Sequence, residues 1–330
     1  MRLKLNSVWY SLLLLALQGC VSLPSETRYP YFRANCGYGP EDLVLDTVAA
    51  KFRILISCDA RRKTEVKKAG IYTYDPATHE THELPRTNEP AGMVFHPHGI
   101  DAVLVGKQEQ LLVISHNDAA KKNSIIRYEV RENELYFLEE ITHPLFNSPN
   151  AVAGLADGSF LVSNDLGTRG STSEMLFKQK KATIVYWCRD SVTIAAEKIA
   201  FGNGITIKGN TVYHASTTGN YVCSYQFKNG KLTDQKILAH VKGPDNIRLD
   251  GGDLIVACHP KFMAFINHMK DSSKISPSLI YRISPSGGEP QIVYFNNGEA
   301  ISACATGLVY RKKLFLSQVF NPWILDVDLP

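Results

Sequence analysis

The sequence predicts an all-β protein, a single six-bladed β-propeller with four-stranded antiparallel blades. Short apolar stretches of strand-forming residues recur along the chain, such as FRILIS, LLVIS, DLIVAC and KLFLS. Alternating polarity within them, and turn residues between them, indicate antiparallel sheets. One strand-turn-strand signature also returns six times along the chain. A long-period repeat of this kind is typical of a propeller.

Each repeated unit consists of an apolar strand, a turn and a second strand that ends in a small or polar residue. The units are headed by Glu41, His98, Asn150, Asn203, Asn246 and Ser302. Successive heads are 57, 52, 53, 43 and 56 residues apart, close to the ~40–50 residues of a propeller blade. Two tandem β-sandwiches would also give many short strands, but they would not repeat one signature six times. The stretches SEMLFKQKK and KFMAFINHMK are interpreted as helical excursions between strands.

Composition excludes several classes of protein. The chain has 330 residues, of which 44% are hydrophobic and 21% charged, so it is not disordered, collagen-like or a disulfide knot. A formal charge of +4 is too small to indicate a nucleic-acid partner. The basic runs at residues 61–63, 178–181 and 311–313 are interpreted as solvated loops.

The amino terminus reads as an export signal. A basic start is followed by the apolar run Val8–Leu17, which is too short to span a bilayer. The run ends in LQGC, similar to a bacterial lipobox, in which the cysteine is diacylated and becomes the new amino terminus. We therefore predict a signal peptide at 1–19, a lipidated Cys20 heading a tether at 20–35, and the propeller at 36–330. The alternative is an ordinary cleaved signal.

Lipidation of Cys20 would explain the odd number of cysteines, seven. Acyl chains would anchor the protein to a membrane. Val21 follows the cysteine, and no Asp is present there to retain the protein at the inner membrane. The expected location is therefore the bacterial cell envelope, as an outer-membrane lipoprotein that faces the periplasm.

Oxygen-bearing side chains head most of the repeats. In a propeller, equivalent positions surround one central channel, so residues far apart in sequence can converge. The candidate metal ligands are Glu41, Asn150, Asn203, Asp245 and Asn246. They supply only oxygen donors, which Ca²⁺ prefers in a shell of ~6–8 ligands. No zinc-type His/Cys spacing occurs. Any one of these residues alone would be explained as an ordinary turn residue.

His98 and His116 lie at the start and end of the strand pair of the second repeat, in HPHGIDAV and LLVISHND. A strand-turn-strand would bring His98 and His116 towards the same channel mouth. A histidine pair can make water nucleophilic, because one ring takes the proton and the other orients it. We predict His98 and His116 as catalytic residues. His96, His143 and His214 are interpreted as ordinary structural histidines.

Several motifs carry a family resemblance. PEDL, FHPHGI, VISHND, FLVSND, FGNGITI, GPDNIRLDGGDLIVACHP and KLFLSQVF stand in this order, and together they resemble the paraoxonase/arylesterase family of calcium-dependent lactonases with a six-bladed propeller. The resemblance extends from about Cys36 to Phe320. It implies a catalytic calcium ion at the five oxygen-bearing residues named above, and a dyad of His98 and His116.

The departures from the family pattern concern a second, structural calcium ion. The resemblance assigns that ion to Asp42, the carbonyl oxygen of Ile100 and a carboxylate where this chain has Ala151. Loss of that carboxylate makes a second ion doubtful. Leu166 stands where the family commonly has His, and the last strand has no cysteine to pair with Cys36. Cys58 is an alternative partner for Cys36.

The leading hypothesis is a calcium-dependent hydrolase of lactones and aryl esters, in which the ion binds the substrate carbonyl and His98, assisted by His116, activates water. One alternative is a sugar lactonase of the gluconolactonase type. The other is a non-catalytic, calcium-stabilised periplasmic propeller that binds a ligand. The natural substrate stays open.

Overall fold

The computed structural model describes residues 23–46, 52–62, 65, 68–189 and 191–330. The predicted signal peptide and Cys20 lie outside the described residues. Within the described part, the strands form six separate sheets with four antiparallel strands each, and the two-residue strand Arg86–Thr87 adds to one of them in parallel. This arrangement confirms the predicted six-bladed propeller.

The blades follow one another along the chain. The first strand of the described part is β1 (Tyr31–Asn35), which belongs to the last blade. Blade 1 contains β2 (Pro40–Asp46), β3 (Arg53–Cys58), β4 (Gly70–Asp75) and β5 (Glu80–Glu83). Blade 2 contains the short β6 (Arg86–Thr87), then β7 (Pro97–Val105), β8 (Gln108–Asn117), β9 (Lys122–Val130) and β10 (Leu135–Thr142). Blade 3 contains β11 (Pro149–Gly154), β12 (Phe160–Asn164), β13 (Ala182–Cys188) and β14 (Ser191–Ile199).

The second half of the chain repeats this order. Blade 4 contains β15 (Gly202–Lys208), β16 (Thr211–Ser216), β17 (Tyr221–Lys228) and β18 (Lys231–His240). Blade 5 contains β19 (Pro244–Asp250), β20 (Asp253–Cys258), β21 (Ser278–Ile283) and β22 (Gln291–Asn296). Blade 6 contains β23 (Cys304–Tyr310), β24 (Lys313–Gln318) and β25 (Trp323–Asp328), and β1 completes it.

The ring is closed by backbone hydrogen bonds between the two ends of the chain. Strand β1 pairs antiparallel with β25, from Tyr31 opposite Val327 to Asn35 opposite Trp323. The propeller therefore includes residues 31–35, which the sequence analysis assigned to the tether. The sequence analysis missed this pairing because it joins the two ends of the chain. The carboxyl-terminal segment supplies only three strands to the last blade, and the exposed edge of these strands needs a partner.

Two short helices project from the blades at the places where the sequence indicated them. Helix α1 (Thr172–Leu176) connects β12 to β13, and α2 (Phe262–Lys270) connects β20 to β21. Ser171 caps α1 by accepting a hydrogen bond from the backbone N–H of Glu174. No helix in the described part of the chain has the length and apolar character needed to cross a membrane.

The hydrophobic core lies between the blades. Six clusters of buried side chains are found among the described residues, one between each pair of neighbouring blades. Strand β20 illustrates the cause, because Leu254 and Val256 pack against blade 4 whereas Ile255 and Ala257 pack against blade 6. Both faces of a middle strand are thus buried, which explains why such strands read as nearly continuous apolar runs.

The innermost strands of adjacent blades contact one another around the axis. Gly99 and Gly204 permit the closest approaches. A Cβ atom on Gly99 would lie 2.3 Å from the backbone oxygen of Asn150, and one on Gly204 would lie 2.6 Å from that of Asp245. Both glycines adjoin predicted site residues, so close backbone packing also brings those residues together.

The six cysteines in the described part of the chain are free thiols. Cys36 lies beside Cys58, as the alternative pairing required, and the two side chains are within hydrogen-bonding reach. Burial and the neighbouring Cys36 thiol raise the pKa of Cys58 well above its ordinary value.

His214 makes the stability of the fold sensitive to acid. Its side chain is fully buried on β16, and Nε2 lies 2.9 Å from the Ser163 hydroxyl. Burial lowers the pKa of His214 from 6.5 to about 3. As the pH falls below 6.5, the unfolded chain binds a proton that the folded chain excludes, so stability decreases by about 1.4 kcal/mol per pH unit until the pH approaches 3.

We therefore expect His214→Asn to flatten the pH dependence of stability. Urea unfolding at pH 4, 5, 6 and 7 measures the free energy of unfolding. Between pH 4 and 6, the slope for the variant should be smaller than that of the wild type by about 1.4 kcal/mol per pH unit. The matched control is His240→Asn at an exposed position. Equal slopes for the wild type and His214→Asn would contradict the prediction.

Candidate active site

His98 and the five candidate calcium ligands lie in β-bulges at the beginning of the innermost strands. In every blade, the register between the first two strands shifts at this point. The residues at the shifts are Glu41 in blade 1, His98 in blade 2, Asn150 in blade 3, Asn203 in blade 4, Asp245 and Asn246 in blade 5, and Thr306 in blade 6. Bulged residues leave the ladder, which frees them to point towards the axis. In blade 6 the bulge contains Thr306, and Ser302, the predicted equivalent, precedes the strand.

The two predicted catalytic histidines are in contact. Nδ1 of His98 lies 2.9 Å from Nε2 of His116, and Nδ1 of His116 lies 2.9 Å from Oδ1 of Asn123. His116 and Asn123 stand directly opposite each other in the β8–β9 pair. The dyad is therefore built within one sheet, on neighbouring strands of blade 2.

Asn123 determines which ring nitrogens carry protons. Its amide nitrogen donates to the backbone oxygens of Phe146, at 2.9 Å, and Asn147, at 3.2 Å, so its oxygen faces His116 as an acceptor. His116 must then donate from Nδ1 and accept at Nε2 from Nδ1–H of His98. Burial and the nearby His98 lower the pKa of His116 well below its ordinary value, which keeps this ring neutral.

Glu41 connects the histidine dyad to the channel. Its Oε1 lies 2.8 Å from Nε2 of His98, and its Oε2 forms an ion pair with Arg61. Burial acts to raise the pKa of Glu41, but the charges of Arg61 and His98 outweigh it and hold the pKa below its usual value. Glu41 is therefore an anion among positive groups. Its backbone oxygen accepts hydrogen bonds from the hydroxyls of Thr306 and Ser317.

Hydroxyl groups orient two of the predicted amide ligands. The Asn203 amide nitrogen donates to Thr217 at 3.1 Å, and that of Asn246 donates to Thr306 at 3.0 Å. The Asp245 carboxylate lies 2.8 Å from Nε2 of His259 through one oxygen. The amide nitrogens of Asn203 and Asn246 are thus engaged by threonine hydroxyls, and one carboxylate oxygen of Asp245 is engaged by His259. The amide oxygens of the two asparagines and the second carboxylate oxygen of Asp245 stay available for another partner.

A hard cation fits this donor set. Oδ1 of Asn203 is buried and has no hydrogen-bond partner among the described residues, a cost that a bound cation would remove. Two carboxylates, Glu41 and Asp245, can balance a charge of +2. Within the described part of the chain, no metal-binding group of three or more His, Cys, Asp or Glu side chains is present, so this set depends on its amide oxygens.

The residues assigned to a second calcium ion do not fit a metal. Asp42 and the Ile100 carbonyl do come together, but both contact the guanidinium of Arg248, at 2.6 and 3.0 Å. Ala151 is buried in the apolar cluster between blades 3 and 4 and supplies no oxygen from its side chain. A positive charge of the protein itself thus already stands between the two remaining oxygen donors.

Two adjoining cavities give access to these groups. One, of about 860 Å³, is lined by Glu41, His98 and Asn123 and by polar residues of the channel mouth. The other, of about 480 Å³, is lined by Glu41, Asn150, Asn203 and Asp245 on one side. Its other side consists of apolar side chains, among them Met175, Phe201, Phe265, Met269 and Val319. Phe201 forms part of the pocket wall, as the sequence suggested, and its φ of 51° shows local backbone strain.

Sequence reasoning missed several members of the site. Arg61 and Arg62 were interpreted as solvated, yet Arg61 pairs with Glu41, and Arg62 is largely buried against Glu65 and His268. Asn123 carried no distinctive motif, although its place one strand after His116 could have suggested a partner. Leu166 lines the mouth, where the family commonly has His.

Comparisons with known proteins identify the family of the chain. The chain matches the protein-family model described as Arylesterase over residues 53–325, which is more than half of its length. The chain belongs to the arylesterase family. This arylesterase is 29% identical to serum paraoxonase/arylesterase 1 of Rattus norvegicus over 294 residues, covering 86% of this chain and 82% of the relative. It is 26% identical to serum paraoxonase/lactonase 3 of Homo sapiens over 239 residues, covering 69% and 67%.

Solved structures share the fold of this arylesterase. A luciferin-regenerating enzyme has a TM-score of 0.59 at 12% identity, covering 91% of this chain and 95% of that one. Regucalcin from Agrobacterium tumefaciens, a calcium-binding protein, has a TM-score of 0.58 at 11% identity, with coverages of 93% and 96%. A gluconolactonase from Xanthomonas campestris has a TM-score of 0.54 at 13% identity, with coverages of 92% and 88%. At these identities the likeness shows the fold alone.

We expect the tautomer of His116 to depend on Asn123. Long-range ¹H–¹⁵N correlation of the histidine rings should show His116 protonated at Nδ1 in the wild type, with the signal assigned by its loss in His116→Gln. Asn123→Leu removes the acceptor and should abolish the preference for this tautomer. Asn123→Asp keeps an acceptor and is the matched control. Protonation at Nε2 in the wild type would contradict the proposed hydrogen-bond direction.

Proposed function

We propose that this arylesterase is a calcium-dependent hydrolase of lactones and aryl esters, with water activated by the histidine dyad. Its family makes it a hydrolase that acts on esters and lactones. The observation that carries the finer proposal is the contact of 2.8 Å between Glu41 and His98. The Glu41 carboxylate is one of the candidate calcium ligands of the channel, and through this contact it also touches the histidine dyad.

The residues that would hold calcium are Glu41, Asn150, Asn203, Asp245 and Asn246. Bound there, calcium would supply Lewis-acid chemistry, polarising the carbonyl of the substrate and offsetting the negative charge that develops on its oxygen. The bulges place all five residues at the innermost edge of the sheets. The support for this assignment is the donor chemistry of the set together with the unpaired Asn203 oxygen.

His98 would act as the general base. In the 2.8 Å contact with Glu41, Nε2 of His98 carries a hydrogen, so the base form would need that contact to open. With Glu41 engaged by the cation, Nε2 would have a lone pair that can accept a proton from water, while Nδ1–H stays donated to His116. His116, neutral and anchored by Asn123, would hold the His98 ring in this orientation and stabilise it once protonated. No serine nucleophile is needed for this chemistry.

The walls of the cavity favour a hydrophobic substrate. Phe201, Phe265 and Val319 line both cavities together with Glu41. A substrate held at Glu41 would therefore share its cavity with apolar surface. An aryl group or an alkyl chain gains from contact with such a wall. A sugar lactone would leave its hydroxyl groups unpaired there. This supports hydrophobic lactones and aryl esters over the gluconolactonase alternative.

We expect turnover to require calcium and the Asn203 oxygen. Treatment with EGTA should abolish hydrolysis of phenyl acetate and of a hydrophobic lactone, and added Ca²⁺ should restore it. Asn203→Ala should lower kcat/KM by about 10²-fold or more, as the loss of an electrostatic stabiliser does. Asn210→Ala, at the exposed far end of the same hairpin, is the matched control. Chelator-resistant activity near the wild-type level in Asn203→Ala would overturn the metal mechanism.

We expect His98→Gln to lower the rate of lactone hydrolysis by about 10²-fold, because glutamine keeps a polar side chain but cannot take up a proton. Progress curves at saturating substrate measure kcat, and thermal melting checks that the variant is folded. His82→Gln changes an exposed histidine of blade 1 and should leave kcat unchanged. An unchanged kcat in His98→Gln would assign the base to another group.

A further inference from the structure

Arg248 occupies the interior of the propeller, although nothing in the proposed reaction uses it. The residue is 8% exposed and belongs to β19, the innermost strand of blade 5. Its guanidinium makes hydrogen bonds to Asp42, the Leu43 and Ile100 carbonyls and its neighbour Ile247. The acceptors on β2 and β7 belong to blades 1 and 2, so a single side chain connects the inner strands of three blades.

The position of this guanidinium explains why the second-calcium residues do not fit a metal. Asp42 is 1% exposed, and a carboxylate buried to this degree requires a positive partner. Arg248 supplies that charge at 2.6 Å from Asp42 Oδ1. It also donates to the Ile100 carbonyl at 3.0 Å, so it contacts both oxygen donors that this chain retains from the second-calcium set.

The chemistry of the two cations differs in the number of ligands that they need. Calcium requires ~6–8 oxygen atoms, whereas a guanidinium is satisfied by a few acceptors in its plane. Asp42 already accepts hydrogen bonds from the N–H groups of Leu43 and Ile100 and from the Thr306 hydroxyl. With alanine at position 151, the remaining oxygen atoms suit a guanidinium better than a metal ion.

We propose that Arg248 is a built-in cation that replaces a second metal ion at the centre of this propeller. The inner strands of blades 1, 2 and 5 are then held together without calcium. The chain binds at most one ion, at the candidate catalytic site, and its central packing is insensitive to chelators. This inference is independent of the proposed catalytic role of calcium.

The test uses Asn203→Ala as the background, because that substitution weakens the candidate catalytic site. Calcium stoichiometry is measured by isothermal titration of metal-stripped protein. Tm is measured in EGTA and in about 5 mM CaCl₂, a concentration above the Kd of ~10⁻⁴–10⁻³ M that is typical of weak extracellular calcium sites. We expect the background protein to show no calcium-dependent change in Tm. Adding Arg248→Ser should lower Tm in EGTA by roughly 10 °C, and calcium should recover most of this loss with one ion bound per chain.

Two controls separate a cation site from an ordinary buried ion pair. Arg248→Lys keeps the charge and should gain no calcium site. Arg248→Ser combined with Asp42→Asn removes the carboxylate that requires a cation, so calcium should no longer raise Tm.

The proposal is overturned if Arg248→Ser folds but gains no calcium-dependent stability. It is equally overturned if the wild type binds two ions, a measurement that needs no variant to fold. A wild type that binds no calcium at all would contradict the proposed function and leave this inference intact.

Discussion

A β-bulge at the beginning of each innermost strand is the constraint on which the site depends. A regular strand would point its side chains into the clusters between blades, which are largely apolar. The bulge releases one or two residues from the ladder and directs them to the axis. Because all six blades have this bulge, polar side chains that are far apart in sequence meet in one channel.

Charge in this channel is balanced at two places in different ways. Around Asp42, the carboxylate and a guanidinium satisfy each other, and the protein completes its own structure. Around Glu41, Arg61 and His98 offset the negative charge only from one side, and an oxygen of Asn203 stays unpaired. The pair of Asp42 and Arg248 resembles a structural salt bridge that is complete without a ligand. The group around Glu41 and Asn203 has unsatisfied polar atoms, which are typical of a ligand-binding site.

The histidine dyad gains its precision from being inside a single sheet. His116 and Asn123 face each other across adjacent strands, so the hydrogen bond that sets the tautomer does not depend on a loop. The apolar cavity wall, in contrast, includes residues of the two helices, such as Met175 and Phe265. The polar groups of the site thus lie on strands, while part of the apolar wall comes from segments that connect them.

The sequence by itself determined the repeat, the propeller, the two helices and the positions of the histidine pair. These features follow from the polarity pattern within each strand and from the residues at equivalent positions of the six repeats. Both can be read from one sequence. Only the tertiary structure decided that Arg61 faces Glu41, that Asn123 anchors His116, that Arg248 contacts Asp42 and that residues 31–35 close the last blade. Most of these features depend on a contact between segments far apart in the chain or between paired strands. The closure by residues 31–35 depends on the sheet edge of the last blade, which would otherwise lack a partner strand. Residue type and spacing do not encode such contacts, because a basic run reads the same whether it faces solvent or a buried carboxylate.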